Sequence, residues 1–466
     1  MITLAILVLL ALGGLVVALA APLLDEHPEV LGGSTVAVFA LTGLLGFLAF
    51  GEHVLIYGSF EAGKMSALAA VLLSLAGLFV AWGNLARPKT LRAGPGEFFA
   101  FLLWGALGGL LMVGANNLLL FFLGLELASY AGYVIAGYDR DRRESAEGAT
   151  KYLVLGAVAS AILLYGMALV YAATGQIYLE QIRASIAGSA LGAAGLALIL
   201  VGLGFKLALA PFHAWVPDAY QGSRPVGAAF LASMPKVGVA LGTAVLLARA
   251  FAPVEEVSGW ILALAFLSFV LGNLWAMPQE NLKRLLGYST VAHMGYLALG
   301  LAAGGTLGFS AAGFYLLAYL VSGAGAFLAL EATEAAGLPA TLAGWKGLFK
   351  RAPFFAVSAA LLLLSLAGVP LLSGFLAKLY VFSAAVQAGW MGVVVVAVLT
   401  TILGYYYYFR VLSAAFLEAP EEAAPLALSP NLVALVAVLA ALSLLFGLWP
   451  AGVMQGIQAA VAALFG

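Results

Sequence analysis

Three lysines and a glutamate sit where this sequence offers them no water. Lys206 falls in "GLGFKLALAPFHAW" (202–215), Lys236 in "SMPKVG" (233–238), Lys378 in "AGVPLLSGFLAKLY" (367–380) and Glu126 in "NNLLLFFLGLELASYAGYVIAG" (116–137), all within long apolar runs. A charge at the centre of a spanning helix is unfavourable by about 2.5–3.5 kcal/mol on insertion scales, so three lysines oppose insertion by roughly 8–10 kcal/mol. Residues held at that penalty are functional candidates by default. Loss of water disfavours the charged form of an ammonium, so a lysine in the bilayer gives up its proton more readily than a solvated one. A carboxylate at ~4 Å works the other way, by about 4 kcal/mol at an effective dielectric of 20. A modest change in the Glu126–Lys206 separation would therefore switch Lys206 between holding and releasing a proton. The chemistry on offer is proton loading and transfer.

Their neighbours fit that chemistry. Ser129, Tyr130 and Tyr133 follow Glu126 at i+3, i+4 and i+7, on one helix face. Pro211 withdraws the N–H that would bond the carbonyl of Leu207, beside Lys206, and Pro235 does the same for Leu231. Pro370 stands eight residues before Lys378. Carbonyls freed inside a bundle must find water or a side chain, so such breaks mark hydrated cavities. Ser289, His293 and Tyr296 share a face further on, with His293 about 13 Å deeper than Arg284 at 1.5 Å per residue. A histidine there suits a proton relay, and a hydrogen-bonded structural role is the competing reading. His213, after the first break, leads toward the inner surface. "YYYYFR" (405–410) reads as an interfacial aromatic belt beside an inner arginine.

The elements that position these residues are membrane helices. Of 466 residues 64% are hydrophobic and 9% charged, and the mean hydropathy is +1.10; a soluble domain carries about 25% charged residues. Runs of about 20 apolar residues fall at 2–24, 30–50, 66–86, 97–114, 116–137, 150–173, 191–211, 225–250, 257–277, 283–303, 306–331, 353–386, 389–416 and 429–449. That makes fourteen spans, the first an uncleaved span rather than a signal peptide, since it lacks a basic leader and its apolar run is too long. With the N-terminus outside, the inward loops hold Arg87, Lys89, Arg92, Arg140, Arg142, Arg143, Lys151, Arg224, Lys283, Arg284, Lys346, Lys350, Arg351 and Arg410. The outward loops hold only Lys64, Arg183 and Arg249. This bias follows the positive-inside rule and puts both termini outside. The basic residues left over are Lys206, Lys236 and Lys378.

The broken seventh span, with Lys206, and the broken twelfth, with Lys378, lie five spans apart. An odd offset gives two such units opposite topology, the pattern of inverted repeats. The organisation expected is a three-helix segment (1–96), a first five-helix unit (97–250), a second, inverted one (257–416), and a last helix with a short tail (417–466). The 56 glycines are dispersed through the spans, where small residues let helices approach. With no cysteine, disulfides, thiolate zinc sites and cysteine-held iron–sulfur clusters are excluded. Phosphate-binding glycine loops, nucleophile–base sets and metal-ligand spacings are not found. The expected partners are the lipid bilayer and other membrane proteins, not nucleic acid.

With these residues in view, the sequence resembles the antiporter-like membrane subunits of respiratory complex I, closest to the N branch of bacterial NADH-quinone oxidoreductase. The matching motifs are "GLELASYAGYVIAGY" (124–138), "ATKYLVLGAVASAILLYGMALVYAATG" (149–175), "GLGFKLALAPFHAWVPDAYQGS" (202–223), "SMPKVG" (233–238), "NLKRLLGYSTVAHMGY" (281–296) and "AGVPLLSGFLAKLY" (367–380). The resemblance implies an all-α polytopic fold of about fourteen helices, with two inverted five-helix repeats broken at the seventh and twelfth. It implies proton translocation in the cell inner membrane, with Glu126 and Lys206 as a charge pair, Lys236 and His293 on a central axis, and Lys378 as terminal carrier. NADH, FMN, iron–sulfur clusters and quinone would belong to partner subunits, among them a neighbouring antiporter-like subunit M and small subunits on the quinone side. Lysine at 378 matches the N branch; the M branch and some cation/proton antiporter subunits, the alternative reading, carry glutamate there. The long lateral helix of the L branch is not expected. One departure stands out: where the family has a "PTP" turn, this chain reads "GSRPVGA", with Arg224 and Pro225, which leaves the start of the eighth span open.

Overall fold

The computed structural model describes residues 1–24, 26–85, 95–139, 141–420 and 424–465. The N-terminal part holds α1 (Ile2–Ala20), α2 (Pro28–Leu48), a hairpin of β1 (Val54–Ile56) and β2 (Phe60–Ala62), and α3 (Lys64–Leu85). Then come α4 (Pro95–Gly114), α5 (Leu118–Ala136), α6 (Arg143–Thr174), the short α7 (Leu179–Ser185), α8 (Ala190–Leu207), the short α9 (Trp215–Gly222) and α10 (Pro225–Leu246). Next are α11 (Val257–Ala276), α12 (Leu282–Ala303), α13 (Gly305–Ala335) and the one-turn α14 (Leu348–Arg351). The order closes with α15 (Pro353–Ala367), α16 (Ser373–Gln387), α17 (Met391–Leu417), α18 (Pro430–Leu448) and α19 (Ala451–Ala462).

Among the described residues thirteen helices are long and apolar enough to cross a bilayer. α15 and α16, of 15 residues each, supply the remaining predicted span, the broken twelfth. Two boundaries differ from the hydropathy reading, and one expected break is absent. α6 starts at Arg143 rather than near 150, because "RESAEGAT" is polar yet helix-competent and carries the helix beyond the apolar run. α8 stops at Leu207 rather than 211, where Ala208 adopts the left-handed conformation at φ 67°. α10, in contrast, runs unbroken through Pro235. That proline removes one hydrogen bond without ending the helix, so it marks no break of the kind seen at Leu207. The open start of the eighth span is fixed at Pro225, in the first turn, where a missing N–H is harmless. Of the inward basic residues, Arg87, Lys89, Arg92 and Arg140 lie outside the described residues.

Between helices immersed in lipid, close contact and internal hydrogen bonds take over from the hydrophobic effect. A side chain at Gly124 of α5 would reach Gly108 O of α4 at 2.7 Å, and one at Gly166 of α6 would reach Gly195 O of α8 at 2.5 Å. These two crossings set the helices that carry Glu126, Ser160 and Lys206. The most enclosed helices are α10, α12 and α13, with 94%, 94% and 100% of their apolar windows buried, against 28% for α1 and α2. They bear Lys236, His293 and two of the tyrosines that meet His293, Tyr315 and Tyr319.

Candidate proton-transfer site

In the first half, the Lys206 ammonium lies 3.8 Å from Glu126 Oε1. It donates to Ser129 Oγ at 2.7 Å and to Tyr133 OH at 3.1 Å. Glu126 in turn accepts from Ser160 Oγ of α6 at 2.6 Å. The pair is thus within Coulombic reach, while each partner is held by hydroxyls rather than by the other. Lys206 is 4% exposed and Glu126 21%, so the carboxylate lies at the edge of the bundle. Tyr130, predicted on the Glu126 face, turns outward and is 58% exposed.

The two breaks share one device. The end of α8 leaves carbonyls without helical partners; Trp215 Nε1 donates to Phe205 O at 3.0 Å, and Lys236 Nζ donates to Lys206 O at 2.7 Å. The Lys236 ammonium also stands 5.0 Å above the Trp215 ring. In the second half α15 ends at Gly368, φ 94°. There Lys378 Nζ donates to Leu366 O at 3.1 Å and to Ala367 O at 2.7 Å, and Tyr405 OH donates to Gly368 O at 3.2 Å. The negative end of a helix dipole favours a cation, so both lysines are stabilised by backbone. Pro211 and Pro370 both lie exposed beside these breaks.

His293 is buried in α12, with Nδ1 2.7 Å from Tyr315 OH and Nε2 3.1 Å from Tyr408 OH. Ser289 also bonds Tyr408. Thr290 and Tyr319 share a 2.7 Å hydrogen bond. Tyr296 OH meets Asn273 and Thr400, both at 3.1 Å, and its ring lies 5.4 Å from the Lys378 ammonium. Lys378, His293, Ser289 and Tyr296 therefore form one polar cluster. His213 stands apart from it, stacked on Trp275 at 4.9 Å, with Nδ1 buried and unpartnered.

The belt reading of "YYYYFR" is corrected here. Tyr407 and Tyr408 are 1% exposed, and only Tyr406 and Phe409 face outward, at 55% and 48%. Four consecutive tyrosines on a helix point to all sides. The stripe Ala397, Thr400, Gly404, Tyr407, Tyr408 and Val411 has the spacing of a buried face and was legible as such. Ser160, Tyr315 and Tyr319 were also missed; Ser160 lies on the stripe Gly156, Ser160, Leu163, Met167 of α6.

At one end of the bundle, charges tie the halves together. Asp218 of α9 accepts from Lys151 at 2.8 Å and from Arg284 at 2.6 Å. Arg224 donates to Glu331 Oε1 at 2.6 Å, and the other carboxylate oxygen accepts from Val226 N at 3.1 Å, at the start of α10. Lys283 meets Glu334 at 3.2 Å. A cavity of about 540 Å³ opens beside Arg142, Arg224, Lys283 and Glu334.

Residues 115–404 match the family described as NADH:quinone oxidoreductase/Mrp antiporter, transmembrane. NADH-quinone oxidoreductase subunit N 1 of Chloroherpeton thalassium is 39% identical over 86% of this chain and 86% of its own. A chain of respiratory complex I from Thermus thermophilus superposes with a TM-score of 0.83 at 34% identity, over 97% of this chain and 99% of that one. A chain of the Mrp complex from Dietzia sp. DQ12-45-1b has the same fold, with a TM-score of 0.86 at 24% identity, over 100% of this chain and 97% of that one. The match covers every residue from Glu126 to Lys378, and the chain belongs to this family of NADH:quinone oxidoreductase and Mrp antiporter membrane proteins.

Proposed function

We propose that this chain is a redox-inactive, proton-translocating subunit in the membrane arm of an NADH-quinone oxidoreductase. The observation that carries the reading is the Lys206 ammonium, 4% exposed and 3.8 Å from Glu126 yet bonded to Ser129 and Tyr133. That geometry leaves the ion pair free to tighten or loosen, and the strength of the pair sets whether Lys206 keeps its proton. Quinone reduction in partner subunits would shift charge along the arm, and Glu126, at the bundle edge, would feel the neighbour. Lys236 and His293 would carry protons onward along the enclosed helices to Lys378, which exchanges with the far side. The polar cavity beside Lys283 and Glu334 suits uptake from the inner side.

In the same reading α4–α10 and α11–α17 are two inverted units, each interrupted by a lysine-capped break. The membrane is the bacterial inner membrane, with both termini outside. The neighbours are an M-type antiporter-like subunit and small subunits toward the quinone site, and NADH, FMN, iron–sulfur clusters and quinone bind in partner chains.

The test is Lys206→Ala in the assembled complex in inverted membrane vesicles. Quinone-linked NADH oxidation and proton uptake are expected to collapse together while NADH–ferricyanide reduction survives. Wild-type values for both would mean that Lys206 is a tolerated buried charge.

A further inference from the structure

The three lysines of the proposed path are not held alike. Lys206 has Glu126 at 3.8 Å and two hydroxyl acceptors, Ser129 and Tyr133. Among the described residues neither Lys236 nor Lys378 has a carboxylate within ion-pair distance. An ammonium carries three N–H donors. Lys236 directs one to the Lys206 carbonyl, and Lys378 directs two to Leu366 and Ala367. Protein oxygens therefore account for only part of either charge.

What each has besides is an aromatic face. The Lys236 ammonium stands over Trp215, 5.0 Å from the ring centre, and the Lys378 ammonium over Tyr296 at 5.4 Å. A cation within about 6 Å of such a face is attracted by the ring quadrupole, best by tryptophan and where water is excluded. Both rings are fixed. Trp215 is 1% exposed and stacks on Tyr152 at 4.0 Å; its Nε1 donates to Phe205 O, the carbonyl next to the one Lys236 uses. Tyr296 stacks on Phe269 at 5.4 Å, and its hydroxyl accepts from Asn273 Nδ2 at 3.1 Å. The titratable groups facing the Lys236 seat are Lys206 of α8 and, around the Trp215 ring, Tyr152 of α6 and Tyr220 of α9. Facing the Lys378 seat are Tyr296 and His293 of α12, Tyr315 of α13 and Tyr405 of α17.

We propose that the Trp215 and Tyr296 rings take the place of carboxylates at Lys236 and Lys378, positioning each ammonium and favouring it over the neutral amine. The inference rests on the proton-translocating reading and adds to it the groups that set how firmly these two lysines hold a proton. Trp215 is a positioning residue, since its N–H is committed to Phe205 and it acts only through Lys236. A ring also differs from a carboxylate in kind. It attracts the charged lysine but offers no site that accepts the proton, so the lysine keeps its charge without a competing base beside it.

The test keeps the shape of each ring and weakens its face. Tetrafluorotryptophan is placed at position 215 of the assembled complex by nonsense suppression and compared with wild type. Pentafluorophenylalanine at position 296 is compared with Tyr296→Phe, which holds the loss of the hydroxyl constant. Quinone-linked NADH oxidation and proton uptake are followed against pH in inverted vesicles. Because the ring favours the ammonium, weakening it lets the neutral amine form at lower pH. The alkaline limb of both profiles is therefore expected to move down by about one pH unit, with assembly and ferricyanide reduction intact. A packing role alone leaves each fluorinated protein on the profile of its unfluorinated counterpart. An unmoved limb at either position, or a limb that moves up, overturns the inference for that lysine. If Lys206→Ala collapses while the fluorinated profiles stay in place, the ring inference alone fails; if Lys206→Ala is itself unaffected, the underlying reading fails.

Discussion

The side chain of Lys236 donates to the backbone carbonyl of Lys206 at 2.7 Å, while the Lys206 ammonium points away to Ser129 and Tyr133. Two lysines of the proposed proton path are thus joined through one helix end. Lys378 repeats the arrangement on Leu366 and Ala367. Backbone carbonyls can hold an ammonium in the bundle without a buried carboxylate, and they lose part of that hold when the lysine gives up its proton. Proton occupancy and the seating of the helix break are therefore coupled.

Lys236→Met tests the coupling. The methionine fills the space but leaves the Lys206 carbonyl uncapped, and losing a hydrogen bond from a charged donor costs about 1.5–3 kcal/mol. Proton uptake in vesicles is expected to fall to background, with a lower thermal midpoint of the purified complex. Unchanged stability would show that the carbonyl has another partner.

Ser160 was not singled out from sequence, yet it is the hydroxyl that holds Glu126 at 2.6 Å. Ser160→Ala is expected to slow proton uptake, and less than Glu126→Gln does. In a double-mutant cycle the two should be strongly non-additive, because Ser160 acts through the carboxylate. Additive effects would separate Ser160 from the pair.

Tyr408 bonds both His293 and Ser289, whereas Tyr406 on the same helix faces outward. Tyr408→Phe is expected to slow quinone-linked turnover by about tenfold or more, and Tyr406→Phe to leave it unchanged. Equal behaviour of the two variants would return these tyrosines to a merely interfacial role.

The spans were legible because the apolar runs are long, and the four central charges because nothing in such runs accommodates a charge cheaply. What escaped was the polar lining. Ser160, Tyr315, Tyr319 and Tyr408 belong to residue types that are common in membrane helices, and only the crossing of helices reveals which of them meet. Pro211 and Pro235 looked equivalent in sequence. The chain breaks near the first, where Ala208 turns left-handed, and runs on through the second.

Asp218 sets a pH expectation at the end of the bundle. Burial pushes its carboxyl up, but hydrogen bonds from Lys151 and Arg284 outweigh this and hold it below the usual aspartate range. A lowered value stabilises the fold fully above the unfolded value of about 3.9, and that contribution is lost as pH falls through the folded one. The thermal midpoint of Asp218→Asn should therefore lie below wild type by a constant amount near neutral pH, with the gap closing only in acid below about pH 4. A gap closing between about pH 6 and 8 would implicate a histidine instead.

Gly368 combines two constraints at the second break. Its φ is 94°, and a Cβ there would sit 3.1 Å from both Cδ and Nζ of Lys378. Left-handed backbone costs an L-residue roughly 1–2 kcal/mol, and the added methyl would also push the ammonium off the end of α15. Gly368→Ala is expected to lower the thermal midpoint and to slow proton uptake. Leu371, at φ 74° and 65% exposed, offers the contrast, since Leu371→Gly relieves backbone strain without touching Lys378. It should pump at the wild-type rate. If Gly368→Ala loses stability yet pumps normally, the backbone cap is structural and the position of Lys378 is not limiting.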